Sequence, residues 1–280
     1  METTQSSDKM WALILGASSG FGGAAAVELA KNGYSIFGVH LDRQVTMPNV
    51  HAIIEKIEAY GQSAVFFNIN AADEIKREEV LGEIQDRFSE SKENSKIKVL
   101  IHSLAFGSLR PYFAKKTEEA ITPASMTMTL DVMAHSLVYW TQGLVAKNLF
   151  AEGGRIFALT SAGSQTVIPS YGAVSAAKAA LEAHIRQIAV ELGFMKITAN
   201  AIMAGVTDTP AVQKIPGAVK MLEAAKLKNP RGKLTVPEEV AKAIVLLCDE
   251  RSGWMSGNVI GVDGGEYIVN YVGEKICRGF

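Results

Sequence analysis

The feature that most constrains this chain is an alternation. Short apolar, β-branched runs recur along it, and segments with helical period separate them. The runs are WALIL (11–15), YSIFGV (34–39), AVFF (64–67), KVLIH (98–102), RIFAL (155–159), ITANAI (197–202) and NVIGV (258–262), which predict about seven strands. Helical patterns near 21–32, 49–60, 73–88, 118–149 and 171–192 lie between the first six. Strands joined through helices return in the same direction, so this order predicts an α/β fold: a doubly wound parallel sheet with helices on both faces. Several runs are apolar at every position, as strands covered on both sides must be. Gly33 and Gly61 follow helical patterns, and Pro237 with Glu238 and Glu239 opens a further one. No linker, low-complexity tract or internal repeat interrupts the series. With 48% hydrophobic residues in 280 there is enough apolar mass for one core, and residues 1–280 are read as a single domain.

Charge and cysteine content exclude several functions. Lys+Arg 28 against Asp+Glu 29 leaves a net charge of -1, which argues against nucleic acid or an anionic membrane as partner and for small molecules. Cys248, inside the apolar AIVLLC, and Cys277 lack metal-ligand spacing, and a reduced, buried thiol is expected at Cys248. His51, His135 and His184 fall in helical patterns, with surface or cap positions expected for His51 and His184 and an interfacial one for His135; no metal site is expected. The opening METTQSSDKM has no apolar signal core, and no run approaches the roughly 18 apolar residues of a membrane span. A cytoplasmic protein is expected.

The first apolar run leads straight into GASSGFGG, with Gly16, Gly20 and Gly22 spaced G-x-x-x-G-x-G before an alanine-rich helix. Glycines at these places permit a tight turn, close approach of backbone N–H groups to a phosphate, and close helix–strand packing. A helix N-terminus there adds positive potential for a pyrophosphate, so Gly16, Ser18, Ser19, Gly20, Phe21 and Gly22 are candidate dinucleotide contacts. The end of the second run reads VHLDR. His40 stands where an acid is expected to meet a ribose hydroxyl, Asp42 lies two residues further on, and Arg43 is placed to reach a 2′-phosphate. That favours NADPH over NADH, with a solvated loop as the alternative for His40 and Arg43.

From Trp11 to about Gly265 the chain resembles the short-chain dehydrogenase/reductase family, with its Rossmann-type fold. Further signatures occur in order: NIN (68–70), HSLAFG (102–107), the helix carrying YGAVSAAK (171–178), and VDGG (262–265). The resemblance implies adenine contacts at Asn68 and Ile69, cofactor contacts at Ser103, Leu104 and Ala105, and a catalytic tyrosine and lysine at Tyr171 and Lys178. Ser161 takes the place of the family's catalytic serine, or else merely satisfies backbone groups at a strand end. AGVTDT (204–209) resembles the segment beside the nicotinamide, where Thr207 and Thr209 can contact carboxamide and pyrophosphate. Ala204 replaces that segment's proline, and a more mobile loop is expected. The family's catalytic asparagine aligns with Met133, so the proton relay of many ketone reductases is not expected. HSLAF in place of the usual Asn-Asn-Ala-Gly, and the long Tyr-to-Lys step, resemble the divergent branch of bacterial enoyl-acyl-carrier-protein reductases, in particular its NADPH-using variant.

The spacing carries chemistry of its own. Tyr171 and Lys178 are seven residues apart, nearly two turns of about 3.6 residues, so they share a helix face. In most of the family the tyrosine lies four before the lysine, where Val174 stands here. Moving the phenol one turn earlier shifts its root by about 4.5 Å. Hydride addition to a ketone places charge on the oxygen bonded to the reduced carbon. Addition to the β-carbon of an enoyl thioester places it on the more distant carbonyl oxygen, as an enolate, and a donor displaced outward meets that oxygen. Conjugate reduction of an acyl thioester is therefore expected, with carbonyl reduction by the same fold and a non-catalytic dinucleotide sensor as alternatives.

Between 210 and 233 stand Lys214, Lys220, Lys226, Lys228, Arg231 and Lys233 against Glu223 alone. Such a segment can steer an acidic acyl carrier protein, or it is a solvated helical face. The resemblance also implies a homotetramer or homodimer packed through 118–149 and 171–192.

Overall fold

The structure, a computed structural model, describes residues 9–91 and 93–270. Its strands are β1 (Met10–Leu15), β2 (Ser35–His40), β3 (Ala64–Asn68), β4 (Lys96–His102), β5 (Phe150–Thr160), β6 (Thr198–Ala204) and β7 (Val259–Val262). They form one parallel sheet in the order β3-β2-β1-β4-β5-β6-β7. The expected doubly wound sheet is present. The helices are α1 (Gly20–Lys31), α2 (Met47–Ala59), α3 (Glu74–Glu90), α4 (Pro123–Leu130), α5 (Ser136–Ala146), α6 (Gly172–Glu191), α7 (Ala218–Lys228) and α8 (Pro237–Cys248). Cys277 lies outside the described residues. Among the described residues no helix is long and apolar enough to cross a membrane.

Alternation along the strands divides the core in two. Leu13, Leu15, Phe37, Leu100 and Ile156 pack with α3, α5 and α6, whereas Ala12, Ile14, Ile36, Val99 and Phe157 pack with α1, α2 and α8. Cys248 closes the second layer, and burial pushes its thiol up to about 12, which suits the inert role expected of it. The strand order reverses between β1 and β4, where Ser103 N–H donates to the Leu15 carbonyl at 2.8 Å. A cleft at the carboxyl ends of these two strands is where such sheets bind ligands.

Two helical expectations need correction. The stretch 118–149 is a 3-10 turn (Thr117–Glu119), α4, a π-helical turn (Asp131–His135) and α5. Thr122 caps α4 by accepting from Ser125 N–H, and Pro123 fixes its start. The hydroxyls of Thr129 and Ser136 donate back to the Ser125 and Val132 carbonyls on either side of the π turn, competing with regular helix bonding there. The helix after β5 starts at Gly172, so Tyr171 is its N-cap. Its near-helical backbone (φ -98°, ψ 2°) lets the Tyr171 carbonyl accept from Ser175 N–H at 2.8 Å, which keeps the first turn in phase with the phenol.

Candidate active site

The chain leaves β1 through the glycine loop and enters α1 behind Ser19, whose side chain makes no capping bond, and no acid stands in the first turn. A Cβ on Gly22 would collide with the Gly16 carbonyl, so the loop closes on itself only with glycine there. Uncapped first-turn N–H groups over a glycine cradle fit the pyrophosphate of a dinucleotide. Thr209 borders this loop, its methyl standing 3.7 Å from where a Cβ on Gly20 would lie. Thr207 is buried and donates to the Gly205 carbonyl at 3.0 Å. At the start of this loop Val206 N–H donates to the Glu266 carboxylate and Gly205 N–H to the Val262 carbonyl.

The end of β2 also differs from expectation. His40 is 4% exposed, and its Nδ1–H donates to Asp42 Oδ2 at 3.0 Å, so this ring is buried and engaged with Asp42. Burial lowers the His40 pKa against the opposing pull of Asp42. Burial works to raise the Asp42 carboxyl, but hydrogen bonds with Thr46, Ser18 and His40 outweigh it and hold the group below the usual carboxylate range. Asn68 uses its amide in both directions on the Asp42 main chain, at 2.9 and 3.0 Å, and Ile69 N–H donates to the His40 carbonyl. Asn68 and Ile69 thus fix a carboxylate beside Ser18 of the glycine loop. Arg43 is exposed at the rim.

Ser103, Leu104 and Ala105 follow β4, and Lys178 reaches them from α6. Its ammonium, 5% exposed, donates to the Leu159 carbonyl at 2.6 Å and lies 3.4 Å from the Leu104 carbonyl. Burial pulls its pKa down to about 8, with the charge of Glu182 acting in the opposite direction. His102, fully buried, has a defined tautomer. Ser136 spends its hydroxyl proton on the Val132 carbonyl, so the His102 Nε2–H donates to Ser136 Oγ at 2.9 Å. Burial, with Lys178 assisting, pushes His102 down to about 3, and it is neutral at working pH.

Tyr171 and Ser161 meet over Gly163. Ser161 Oγ accepts from Gly163 N–H at 3.0 Å and stands over Gly163 beside the Tyr171 ring. A Cβ on Gly163 would lie 2.8 Å from the Tyr171 ring, so the phenol rests on bare backbone. Burial raises the Tyr171 pKa and Ser161 opposes it. The Lys178 ammonium is directed at the Leu159 and Leu104 carbonyls and not at the phenol. Val174, buried, packs toward Gly107 together with Met133 of the π turn.

Sequence reasoning missed three residues here. Gly163 carries no signal without the ring above it. Thr160 and Glu182, both buried and 2.6 Å apart, are detectable only as a polar pair inside an apolar helix stripe and strand end. His184 is half-buried, and its Nε2 lies 3.0 Å from Nδ1 of His135 in the π turn. Among the described residues no group of three or more His, Cys, Asp or Glu converges on a metal site. Lys214, Lys220, Lys226, Arg231 and Lys233 are exposed around α7, and Lys233 pairs with Glu239 at 2.5 Å.

A family model described as enoyl-(acyl carrier protein) reductase matches residues 16–266. The chain is 31% identical over 195 residues to the enoyl-(acyl-carrier-protein) reductase (NADH) FabI of Synechocystis sp., covering 67% of this chain and 74% of that protein. It is 26% identical over 253 residues to the 3-oxoacyl-(acyl-carrier-protein) reductase FabG of Thermotoga maritima, covering 90% and 96%. The crystal structure of FabI from Candidatus Liberibacter asiaticus has the same fold, with a TM-score of 0.82 and 23% identity over 95% of this chain and 98% of that one.

Proposed function

The chain belongs to the enoyl-(acyl carrier protein) reductase family, and on that premise we propose that it reduces the α,β double bond of an enoyl thioester at the cleft between Tyr171 and the glycine loop. The observation that carries this reading is the phenol's place at the N-cap of α6, with buried Val174 where a ketone reductase of this fold keeps its tyrosine.

A nicotinamide dinucleotide supplies hydride to the β-carbon when bound. Gly16, Gly20 and Gly22 with the first turn of α1 hold its pyrophosphate, and Ser103 to Ala105 line its path. Lys178 holds its ribose. Tyr171 donates a hydrogen bond and then the proton toward the thioester oxygen, where charge gathers as the enolate forms. Ser161 holds the phenol's direction. A preorganised donor aimed at developing charge in a dry site contributes about 2.7–4 kcal/mol.

NADH suits this site better than the NADPH expected from His40 and Arg43. A 2′-phosphate beside Ser18 would face the ionised Asp42, whereas a ribose hydroxyl can donate to it. The exposed lysines around α7 support an acidic carrier protein as the handle of the substrate. Tyr139 on α5 and Val190 on α6, both exposed, support pairing of copies through these helices.

One feature favours carbonyl reduction as a second reading: Ser161 and Tyr171, side by side over Gly163, would also serve a ketone oxygen bonded to the reduced carbon. Following nicotinamide oxidation with 2-enoyl and with 3-oxoacyl thioesters, each with NADH and NADPH, separates the readings. Consumption with the enoyl substrate and NADH is expected. Consumption with the oxo substrate alone would overturn the proposal.

A further inference from the structure

Glu182 is 6% exposed inside the sheet-facing side of α6, four residues past Lys178. A carboxylate in such a place needs a partner, and its Oε1 accepts from Thr160 Oγ1 at 2.6 Å. Thr160 is the last residue of β5, directly before Ser161, and the Lys178 ammonium is bound to the carbonyl of Leu159, directly before Thr160. Two polar side chains one turn apart on α6 therefore clasp two consecutive residues at the end of β5. That clasp joins the strand end carrying Ser161 to the helix carrying Tyr171 and Lys178.

We propose that Glu182 is a positioning residue for this reaction: through Thr160 it ties the end of β5 to α6, and it places a carboxylate one helical turn from Lys178. Side chains four apart on a helix are neighbours, so the carboxylate lies within the range at which an opposite charge favours the protonated amine. The other groups facing Lys178 do not replace it. Across the cleft floor stand the Leu104 and Leu159 carbonyls, which carry no net charge, and His102 at the end of β4 is neutral and supplies no counter-charge. His184, further along α6, bears on His102 and is itself drawn below its ordinary pKa by burial and His135. Without Glu182, burial alone governs the lysine, which loses its proton at a lower pH. The proposal rests on the reading that Lys178 binds the nicotinamide ribose.

Two measurements test it separately from that reading. The first follows the Lys178 ammonium directly, by NMR of the cofactor-free protein labelled at lysine side chains, with Lys178→Arg giving the assignment. The second is the NADH dissociation constant as a function of pH, from nucleotide fluorescence. Glu182→Gln keeps an oxygen to accept from Thr160 but removes the charge, and should lower the Lys178 midpoint by about one pH unit. The alkaline weakening of NADH binding should move down with it. Thr160→Val keeps the charge but breaks the tie, and should leave that midpoint nearly in place while lowering kcat about tenfold or more. Glu182→Asp, which restores charge, should recover the midpoint and serves if Glu182→Gln does not fold. An unmoved Lys178 midpoint in Glu182→Gln, or a kcat unaltered in Thr160→Val, overturns the proposal. If NADH binding is insensitive to pH in the wild type and to Lys178→Ala, the ribose reading fails instead, while the NMR titration still decides the role of Glu182.

Discussion

The Tyr171 ring and the Ser161 hydroxyl stand together over Gly163 at the end of β5, while the lysine seven residues on is bound to the strand's own carbonyl. The two halves of the expected pair thus have separate supports. Tyr171→Phe should lower kcat on an enoyl thioester about 10²–10³-fold with NADH affinity nearly unchanged, whereas Lys178→Ala should harm both. Single-turnover rates and nucleotide titration of each variant check this.

Gly163 supports the ring as a surface supports a plate. In Gly163→Ala the added methyl meets the Tyr171 ring at 2.8 Å and must move it. Overpacking of this kind costs about 1–3 kcal/mol of stability, but a donor displaced by an ångström is expected to cost about 10²-fold in kcat. Thermal melting beside kcat distinguishes a misplaced phenol from a damaged fold.

Asp42 should decide the cofactor. Asp42→Ser removes the carboxylate beside Ser18, which weakens NADH binding and relieves repulsion of a 2′-phosphate. A lost charge-assisted hydrogen bond is worth about 1.5–3 kcal/mol, so the ratio of kcat/KM for NADH over NADPH should fall at least about tenfold. His40→Phe should weaken the same preference by freeing the Asp42 side chain from its Nδ1–H.

Acid should destabilise the protein through His102. Its ordinary pKa is about 6.5 in the unfolded chain, against about 3 when folded, so the unfolded state binds the proton first as pH falls. The stability contributed by the neutral ring is full above pH about 6.5 and is lost progressively down toward pH about 3. His184, also drawn down by burial and His135, adds to the loss in the same direction. His102→Gln can still donate to Ser136 and has nothing to titrate. Its melting temperature, lower at neutral pH, should fall less steeply than the wild type's between pH 6.5 and 4.5.

The parts of this protein legible in its sequence are those where one local rule acts alone. The β1 run MWALIL is buried from Trp11 to Leu15 because both faces of a central strand are covered, and its apolar continuity says so directly. The break at 131–135 was hidden because helical period runs on through Asp131 to His135, and only the back-bonding of Thr129 and Ser136 in three dimensions shows the turn widening. Within the site, Tyr171 and Lys178 were visible through their spacing. Glu182 was not, since an acid four residues after a lysine on a helix usually marks a solvated ion pair. His40 was misread because its neighbour Asp42 folds back onto it, a contact that alternation along the strand does not reveal.

The most direct test of conjugate reduction is where the hydride lands. NADH deuterated at the transferring position of C4, mixed with a 2-enoyl thioester and this protein, should yield a saturated product with deuterium at the β-carbon and a solvent proton at the α-carbon by NMR. Label found only at the carbinol carbon of a 3-hydroxyacyl product, formed from the oxo substrate while the enoyl substrate returns unchanged, would contradict it.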